Sequence, residues 1–314
     1  MSGMKAKTIK AVLRKKTDEW LASIDDETIR DKIAKNTIIT GGSIASMLLG
    51  EPVNDFDVYF RNHETALAVA KYYVAKFTPG ARKGVPCKVS VWDDGDRIKV
   101  VIKSAGIASE AETDKPYEYF EARPDGEASG YIGEVMNDPG EIEDTYQETE
   151  QMALEADDKP TYRPVFMSTN AITLSQRLQI VLRFHGEPDK IHENYDFAHC
   201  TNYWCSWDGK LELRPQALEA LLSKELRYVG SKYPVCSIIR LRKFIRRGWT
   251  INAGQILKIV MQVSELNLKD IGVLEDQLTG VDAAYFIELV DKLREKDPEK
   301  VNTAYLVEII DRMF

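Results

Sequence analysis

The chain has 314 residues, which is enough to bury a substantial core and to form two domains. Hydrophobic residues make up 44% of it and charged residues 29%, the balance of a globular protein in water, and no apolar run approaches the ~20 residues of a membrane-spanning helix. The net charge of −8 arises from residues 110–158, where seventeen residues are acidic and two are basic; the remainder carries +7, so binding to nucleic acid is not excluded.

The N-terminal segment, residues 1–36, is predicted to be helical, because Ile9, Leu13 and Trp20 recur at roughly helical spacing. This basic segment lacks the apolar stretch of a secretory signal. The four cysteines show no paired metal-ligand spacing, which indicates free thiols in a reducing compartment. We therefore expect a cytoplasmic protein that does not bind a membrane.

The most informative stretch is residues 40–60, TGGSIASMLLGEPVNDFDVYF. Its pattern predicts a strand, a glycine turn, a short helix from Ile44 to Leu49 and a second strand. Gly41 and Gly42 allow the backbone to bend tightly and to come close to a ligand. Ser43 is expected to be the N-cap of the helix, whose free N–H groups and positive dipole end suit a phosphate.

The second strand carries two carboxylates, Asp55 and Asp57. Side chains alternate along a strand, so the two are expected to share one face while Phe56 points into the core. Two carboxylates on one strand face can bridge a pair of Mg²⁺ ions ~3.5–4 Å apart, the arrangement used for phosphoryl and nucleotidyl transfer. The alternative is a strand–turn–helix unit with two exposed aspartates.

This order of a GGS turn, a short helix and a D-x-D strand resembles the DNA polymerase beta-like nucleotidyltransferase superfamily. The spelling GGSIASMLLGEPVNDFDV is most similar to the head motif of the tRNA CCA-adding and poly(A) polymerase branch, although that branch has Arg-Asp where this chain has Ala45-Ser46. The chain as a whole resembles uncharacterised phage-encoded nucleotidyltransferases. The resemblance implies an α+β fold, a mixed sheet with helices, and transfer of a nucleoside monophosphate from an NTP to a hydroxyl, with release of pyrophosphate.

Further along, a helix is predicted over residues 64–77 and a hairpin over residues 87–103, which turns at Gly95. Residues 104–164 are rich in Glu, Asp, Gly and Pro and have weak periodicity, so they are expected to form an acidic surface insertion. This insertion either mimics nucleic acid and shields a basic groove or is simply a solvated loop.

Residues 195–200 (YDFAHC) are predicted to form another strand that carries an acid. The resemblance implies a third carboxylate on a strand beside the D-x-D strand, and Asp196 is the candidate for it. Asp196 would then complete the metal site with Asp55 and Asp57 and help to deprotonate the acceptor hydroxyl. The alternative is an exposed or capped aspartate.

The basic residues nearest to Asp196 on its N-terminal side, Arg183 and Lys190, are candidates for contacts with the triphosphate. Arg183 lies in an apolar strand pattern, and Lys190 lies in the short helical stretch that follows. Both residue types bind phosphate oxygens, but either residue could equally be a surface charge.

From Pro215 onward the chain is predicted to be helical. The helix that Pro234 begins carries a dense basic face with aromatic neighbours, which suits a phosphate backbone as well as it suits plain solvation. The candidate RNA contacts are Arg240, Lys243, Arg246 and Arg247. We thus expect a helical segment (1–36), a catalytic domain (37–211) and a helical C-terminal domain (212–314).

These features together predict an Mg²⁺-dependent nucleotidyltransferase with an NTP as substrate. The head motif and the basic helix favour the 3′ end of an RNA, such as a tRNA, as acceptor. Three alternatives remain open: modification of a protein or a small molecule, the joining of nucleotides in a signalling reaction, and a catalytically silent binding or virion protein with this fold.

Overall fold

The computed structural model describes residues 3–76, 87–95, 97–104, 161–167 and 170–278. Its strands are β1 (Thr37–Thr40), β2 (Phe56–Phe60), β3 (Cys87–Asp93), β4 (Ile98–Ser104), β5 (Pro164–Met167), β6 (Ala171–Leu174), β7 (Leu178–His185), β8 (Tyr203–Cys205) and β9 (Leu211–Glu212). Its helices are α1 (Ala6–Ala22), α2 (Glu27–Asn36), α3 (Gly42–Leu49), α4 (His63–Lys76), α5 (Pro188–His192), α6 (Pro215–Ser223), α7 (Pro234–Arg246), α8 (Ala253–Ser264) and α9 (Ile271–Leu278). Nearly all of the predicted acidic insertion lies outside the described residues, and so do the helices predicted near 283–293 and 304–313.

The N-terminal segment is helical in its described part, as predicted, and forms two helices. The chain leaves α1 after Ala22, and Asp26 caps α2 by accepting a hydrogen bond from the backbone N–H of Ile29 at 3.1 Å. An aspartate in the N-cap position favours a new helix start over a continuous helix. None of the described helices is long and apolar enough to cross a membrane.

The main sheet has seven strands in the order β5-β6-β7-β2-β1-β8-β9. Strand β2 pairs with β7 in parallel, and the other neighbours are antiparallel, so the predicted mixed sheet with helices is confirmed. A second sheet is the predicted hairpin of β3 and β4, whose turn includes Gly95 at φ +91°. From Pro215 to the end of α9 the described chain is helical apart from loops and isolated bridges, as predicted.

The two faces of the main sheet differ in polarity. One face contributes Ile39, Val58 and Ile180 to a core that also contains Trp20 of α1, Ile33 of α2 and residues of α3 and α4. The opposite face carries the alternate residues of the same strands, among them Asp57, Thr40 and Gln179. The helices thus cover the apolar face, and Asp57 of the head motif lies on the other.

The chain divides into two compact units. In its described part, the first unit contains the seven-stranded sheet, the hairpin of β3 and β4, and helices α1 to α5. The second contains residues 193–198 and the chain from Leu222 onward, with α7, α8 and α9. The N-terminal helices therefore belong to the same unit as the sheet, because their apolar side chains are part of its core.

We expect a buried hydrogen bond in this core to be important for stability. The indole Nε1–H of Trp20 donates to the Tyr73 hydroxyl at 2.7 Å and joins α1 to α4. Tyr73→Phe leaves the buried indole donor without its acceptor and should lower the free energy of unfolding by about 1–3 kcal/mol. Tyr72→Phe is the matched control, because the Tyr72 hydroxyl donates to Asp25 at the surface and its loss should change less than about 1 kcal/mol. Urea denaturation of both variants tests this, and equal effects would contradict it.

Candidate active site

The glycine turn lies between β1 and α3. Gly41 has φ +92° and ψ −151°, a conformation that side chains disfavour, and its N–H donates to the backbone oxygen of Cys200 at 3.1 Å. Gly42 is the first residue of α3 and is exposed, and a Cβ placed there would meet no atom within 4 Å. The backbone at Gly42 is therefore open to a ligand.

Ser43 is not the N-cap of α3; Gly41 is, and no side chain caps this helix. The helix begins two residues earlier than predicted, because the glycines adopt the turn without help from a capping hydroxyl. Ser43 is instead 1% exposed, and within the described part of the chain its hydroxyl has no hydrogen-bond partner. A buried hydroxyl without a partner is costly, and a bound ligand could satisfy it.

The two carboxylates of the D-x-D motif lie at the start of β2, next to this turn. Asp57 is half-buried and is the direct antiparallel partner of Thr40, the residue before Gly41. Asp55 is exposed and lies one residue before the strand. The pattern predicted that the strand includes Asp55, but it begins at Phe56. The register thus places the Asp57 backbone beside the end of β1 that leads into the glycine turn.

Asp57 belongs to a polar row across the sheet. Thr40 pairs with Asp57 on one side and with Tyr203 on the other, and Asp57 pairs with Gln179 of β7. Residues paired across strands share a face, so these four side chains lie on the face opposite the core. Arg183 of β7 is 8% exposed and lies between Ile180 and His185, where the pairing of β2 with β7 shifts register, so alternation does not assign it to this face.

His192 is a buried residue of this region that the sequence analysis missed. Its Nε2 lies 2.8 Å from the Thr40 hydroxyl, which also lies 2.8 Å from the backbone oxygen of Asn202. Burial and the neighbouring guanidinium of Arg214 lower the pKa of His192 to about 3, against the smaller opposing effect of Asp189. A lone histidine at the end of a short helix belongs to no motif. The one indirect signal in the sequence is the position of its partner Thr40, which directly precedes the two glycines.

The strand predicted around Asp196 does not form. Asp196 lies in a bend, Phe197 makes a single bridge with Tyr228, and a 3-10 turn occupies Ala198–Cys200. The backbone at Asp196 bonds to the chain near Tyr228, since the Val229 N–H donates to the Asp196 oxygen at 2.9 Å. The carboxylate of Asp196 is buried in an ion pair with Arg240, and both residues belong to the second unit.

The remaining predicted contacts are at the surface or engaged. Lys190 is exposed on α5, with its stem against Gly186. Helix α7 begins at Pro234 as predicted, and Arg240 is the member of its basic face that pairs with Asp196. The other candidates of that face, Lys243, Arg246 and Arg247, are exposed.

The candidate donors for a metal, as predicted from the sequence, are Asp55 and Asp57. Among the described residues, no group of three or more His, Cys, Asp or Glu side chains is arranged to hold a metal ion. Mg²⁺ prefers oxygen ligands and is usually held by one or two carboxylates together with substrate phosphates and water. The two aspartates are therefore of the ligand type that suits Mg²⁺ arriving with a triphosphate, and the backbone at Gly42 is open to such a ligand.

The profile of the Gabija anti-defense 2 (Gad2) family matches residues 11–224. This match covers more than two thirds of the chain, so the chain belongs to that family. One relative is "Gabija anti-defense 2" of Bacillus phage SPbetaL7, which is 22% identical over 126 residues. The aligned part is 38% of this chain and 31% of that protein, so the chain spans about a third of the relative.

Similar solved structures include two CCA-adding enzymes. The Thermotoga maritima enzyme complexed with tRNA has a TM-score of 0.38 and 12% identity, and the match covers 79% of this chain and 45% of that one. The Bacillus stearothermophilus enzyme in complex with CTP has a TM-score of 0.37 and 11% identity, covering 84% and 48%. The chain thus spans about half of each enzyme, at a similarity too distant to transfer an activity.

The buried His192 should make the protein sensitive to acid. Between the ordinary pKa of 6.5 and the folded value of about 3, the unfolded chain binds a proton at this residue and the folded chain does not. The stabilisation by neutral His192 is thus complete above pH 6.5, the pKa of the residue in the unfolded chain. As the pH falls through this window, the free energy of unfolding decreases by about 1.4 kcal/mol for each pH unit. His192→Gln can still bond Thr40 but cannot titrate, so it should lose less stability than the wild type on acidification. Urea denaturation at about pH 8 and about pH 5 measures this, and parallel losses would contradict it.

Proposed function

We propose that this protein is an Mg²⁺-dependent nucleotidyltransferase that a phage uses to counter the Gabija defence. One observation carries the chemical part: a glycine turn that is exposed at its second residue and a buried hydroxyl without a described partner, both at the start of a helix, lie next to the strand that leads out of the D-x-D motif. The turn is Gly41-Gly42, the hydroxyl is that of Ser43, and Asp57 lies opposite Thr40 in the adjacent strand.

The glycine turn would hold the triphosphate of an NTP. Phosphate oxygens can approach the backbone at Gly42 because no Cβ is present, and the first N–H groups of α3 lack a capping side chain. The Ser43 hydroxyl would gain the hydrogen bond that it lacks in the described chain. The Arg183 guanidinium, from the strand that pairs with β2, would balance part of the phosphate charge.

Asp55 and Asp57 would hold the metal ions that accompany the triphosphate. Bound Mg²⁺ would neutralise the charge on the phosphates and lower the pKa of the attacking hydroxyl. Asp57 is the better-fixed ligand, because strands pair with β2 on both sides of it. Asp196 is not part of this proposed pair, because its carboxylate is engaged by Arg240.

The acceptor would be the 3′ hydroxyl of an RNA. The exposed Lys243, Arg246 and Arg247 of the α7 region support this assignment, since closely spaced cations bind a phosphate backbone irrespective of base sequence. A protein or small-molecule acceptor would need no such basic helix.

Membership of the Gabija anti-defense 2 family and the phage origin of one relative support the biological part. A family defined by counter-defence includes, in principle, members that act only by binding. The glycine turn and both aspartates are present here, and a protein that only binds has no chemical need for them.

Asp57→Asn tests whether the carboxylate pair is catalytic. The amide keeps the size of the side chain but loses the charge that holds a metal, so labelled NMP transfer from α-labelled NTP should fall by roughly 10²-fold or more. Asp31→Asn is the matched control, because it removes the same charge from the exposed surface of α2.

The assay contains Mg²⁺, total RNA, and each α-labelled NTP in turn. Label in RNA supports the proposed acceptor, label in protein or in a small molecule replaces it, and a nucleotide product formed without any acceptor indicates a signalling reaction. Equal transfer by the wild type and Asp57→Asn would remove the carboxylate from the mechanism. If transfer is absent from the wild type while a phage that carries it still overcomes Gabija, the protein acts by binding.

Gly42→Ala tests the triphosphate site separately from the fold. A methyl group at position 42 meets open space, and alanine is a better helix former than glycine, so stability should stay the same or rise by up to about 1 kcal/mol. The methyl group would occupy the space of a phosphate oxygen, and NTP affinity should fall by roughly tenfold or more, ~1.4 kcal/mol. Gly254→Ala, in the first turn of α8, is the control. Calorimetry measures the NTP affinity of both variants. If the two affinities are equal, the triphosphate binds elsewhere.

A further inference from the structure

The loop between β6 and β7 is strained. It consists of three residues, and two of them, Gln176 and Arg177, have φ values of +68° and +60°. Residues with a Cβ disfavour this left-handed region, where glycine or asparagine is the usual choice. Two consecutive strained residues persist only where the surrounding contacts determine the conformation, and such strain is typical of functional sites.

Contacts from both sides hold this loop. The Lys16 ammonium donates to the Gln176 backbone oxygen and lies 5.2 Å from the centroid of the Phe56 ring. The Arg177 guanidinium donates through Nη1 to the Val53 oxygen at 3.0 Å, and the Arg177 backbone oxygen accepts from the Phe56 N–H at 2.8 Å. Arg177 therefore holds the chain at Val53 with its side chain and at Phe56 with its backbone.

Asp55 lies between these two points of attachment. Asp57 is placed by the ladders of β1 and β7, but Asp55 precedes β2 and has no place in its ladders. The position of one carboxylate relative to the other thus depends on how the segment from Val53 to Phe56 is held. A catalytic pair needs its ligands fixed by such supporting contacts, because a displacement of about 1 Å can cost roughly 10²-fold in rate.

We propose that Arg177 is a positioning residue, which clamps the segment from Val53 to Phe56 so that Asp55 is held beside Asp57. This inference rests on the proposed function, since it takes the two aspartates as the metal-holding pair. It also accounts for arginine at a left-handed position: glycine would relieve the strain but could not reach the Val53 oxygen. The strain at Arg177 is the consequence of placing a long donor at this point of the loop.

Arg177→Gly separates positioning from a general structural role. Glycine adopts the left-handed conformation without strain and keeps the backbone bond to Phe56, so the melting temperature should not fall. The loss of the clamp should lower kcat for nucleotidyl transfer by roughly 10–100-fold, with KM for the NTP changed much less. Gln176→Gly is the matched control, because it relieves the neighbouring strain and retains the guanidinium; its kcat should equal that of the wild type.

Arg177→Lys should recover part of the lost rate, since a lysine can also donate to the Val53 oxygen but only as a point charge. If Arg177→Gly lowers the melting temperature, the kcat values of Arg177→Lys and Gln176→Gly are compared instead. Arg177→Gly with wild-type kcat would overturn the proposal, and so would a loss of kcat in Gln176→Gly as large as that in Arg177→Gly.

Amide hydrogen exchange tests the clamp without any catalytic assay. At Phe56, whose N–H donates to the Arg177 oxygen, exchange should be roughly tenfold faster in Arg177→Gly than in the wild type, and unchanged in Gln176→Gly. If the wild type transfers no nucleotide, the proposed function fails, while the exchange rates still decide whether Arg177 holds the segment. Equal exchange in all three proteins would overturn the clamp even if transfer is observed.

Discussion

The antiparallel register of β1 and β2 is the constraint on which the candidate site depends. It sets Thr40 opposite Asp57, so that the residue before the glycine turn and the second aspartate of the D-x-D motif are cross-strand neighbours. A shift of one residue would exchange the faces of β2, burying Asp57 and exposing Val58. The register is therefore maintained by the apolar side chains of the opposite face, which lose their core if it slips.

The candidate site combines a rigid part with parts that depend on side-chain contacts. Ladder hydrogen bonds on both sides hold Asp57, and the bond from the Gly41 N–H to Cys200 fixes the turn. Asp55 lies outside the ladders and is reached through the segment that Arg177 holds. The Thr40 hydroxyl, in turn, is a buried polar group whose neighbours are His192 and two backbone oxygens, and it donates to a backbone oxygen while His192 contacts it through Nε2.

Family membership and site chemistry answer different questions about this protein. The family match concerns the defence that such proteins counter, and it says nothing of how they do so. The glycine turn and the carboxylate pair suggest a reaction, and they do not identify its target. An enzyme would have one advantage over a protein that acts only by binding: a single copy could modify many targets, which suits a phage that must overcome a defence early.

The sequence by itself determined the strand, turn, helix and strand around residues 40–60, the β3–β4 hairpin and the start of α7 at Pro234. These features follow from local rules: glycine at positive φ, proline at the first position of a helix, and alternation of apolar residues. Only the tertiary structure decided the rest. It paired Asp196 with Arg240, 44 positions apart, instead of placing it in a strand, and it brought His192 to Thr40 and Arg177 to Val53. Such contacts join distant segments through side chains whose local sequence carries no periodic signal, so no pattern in the sequence could reveal them.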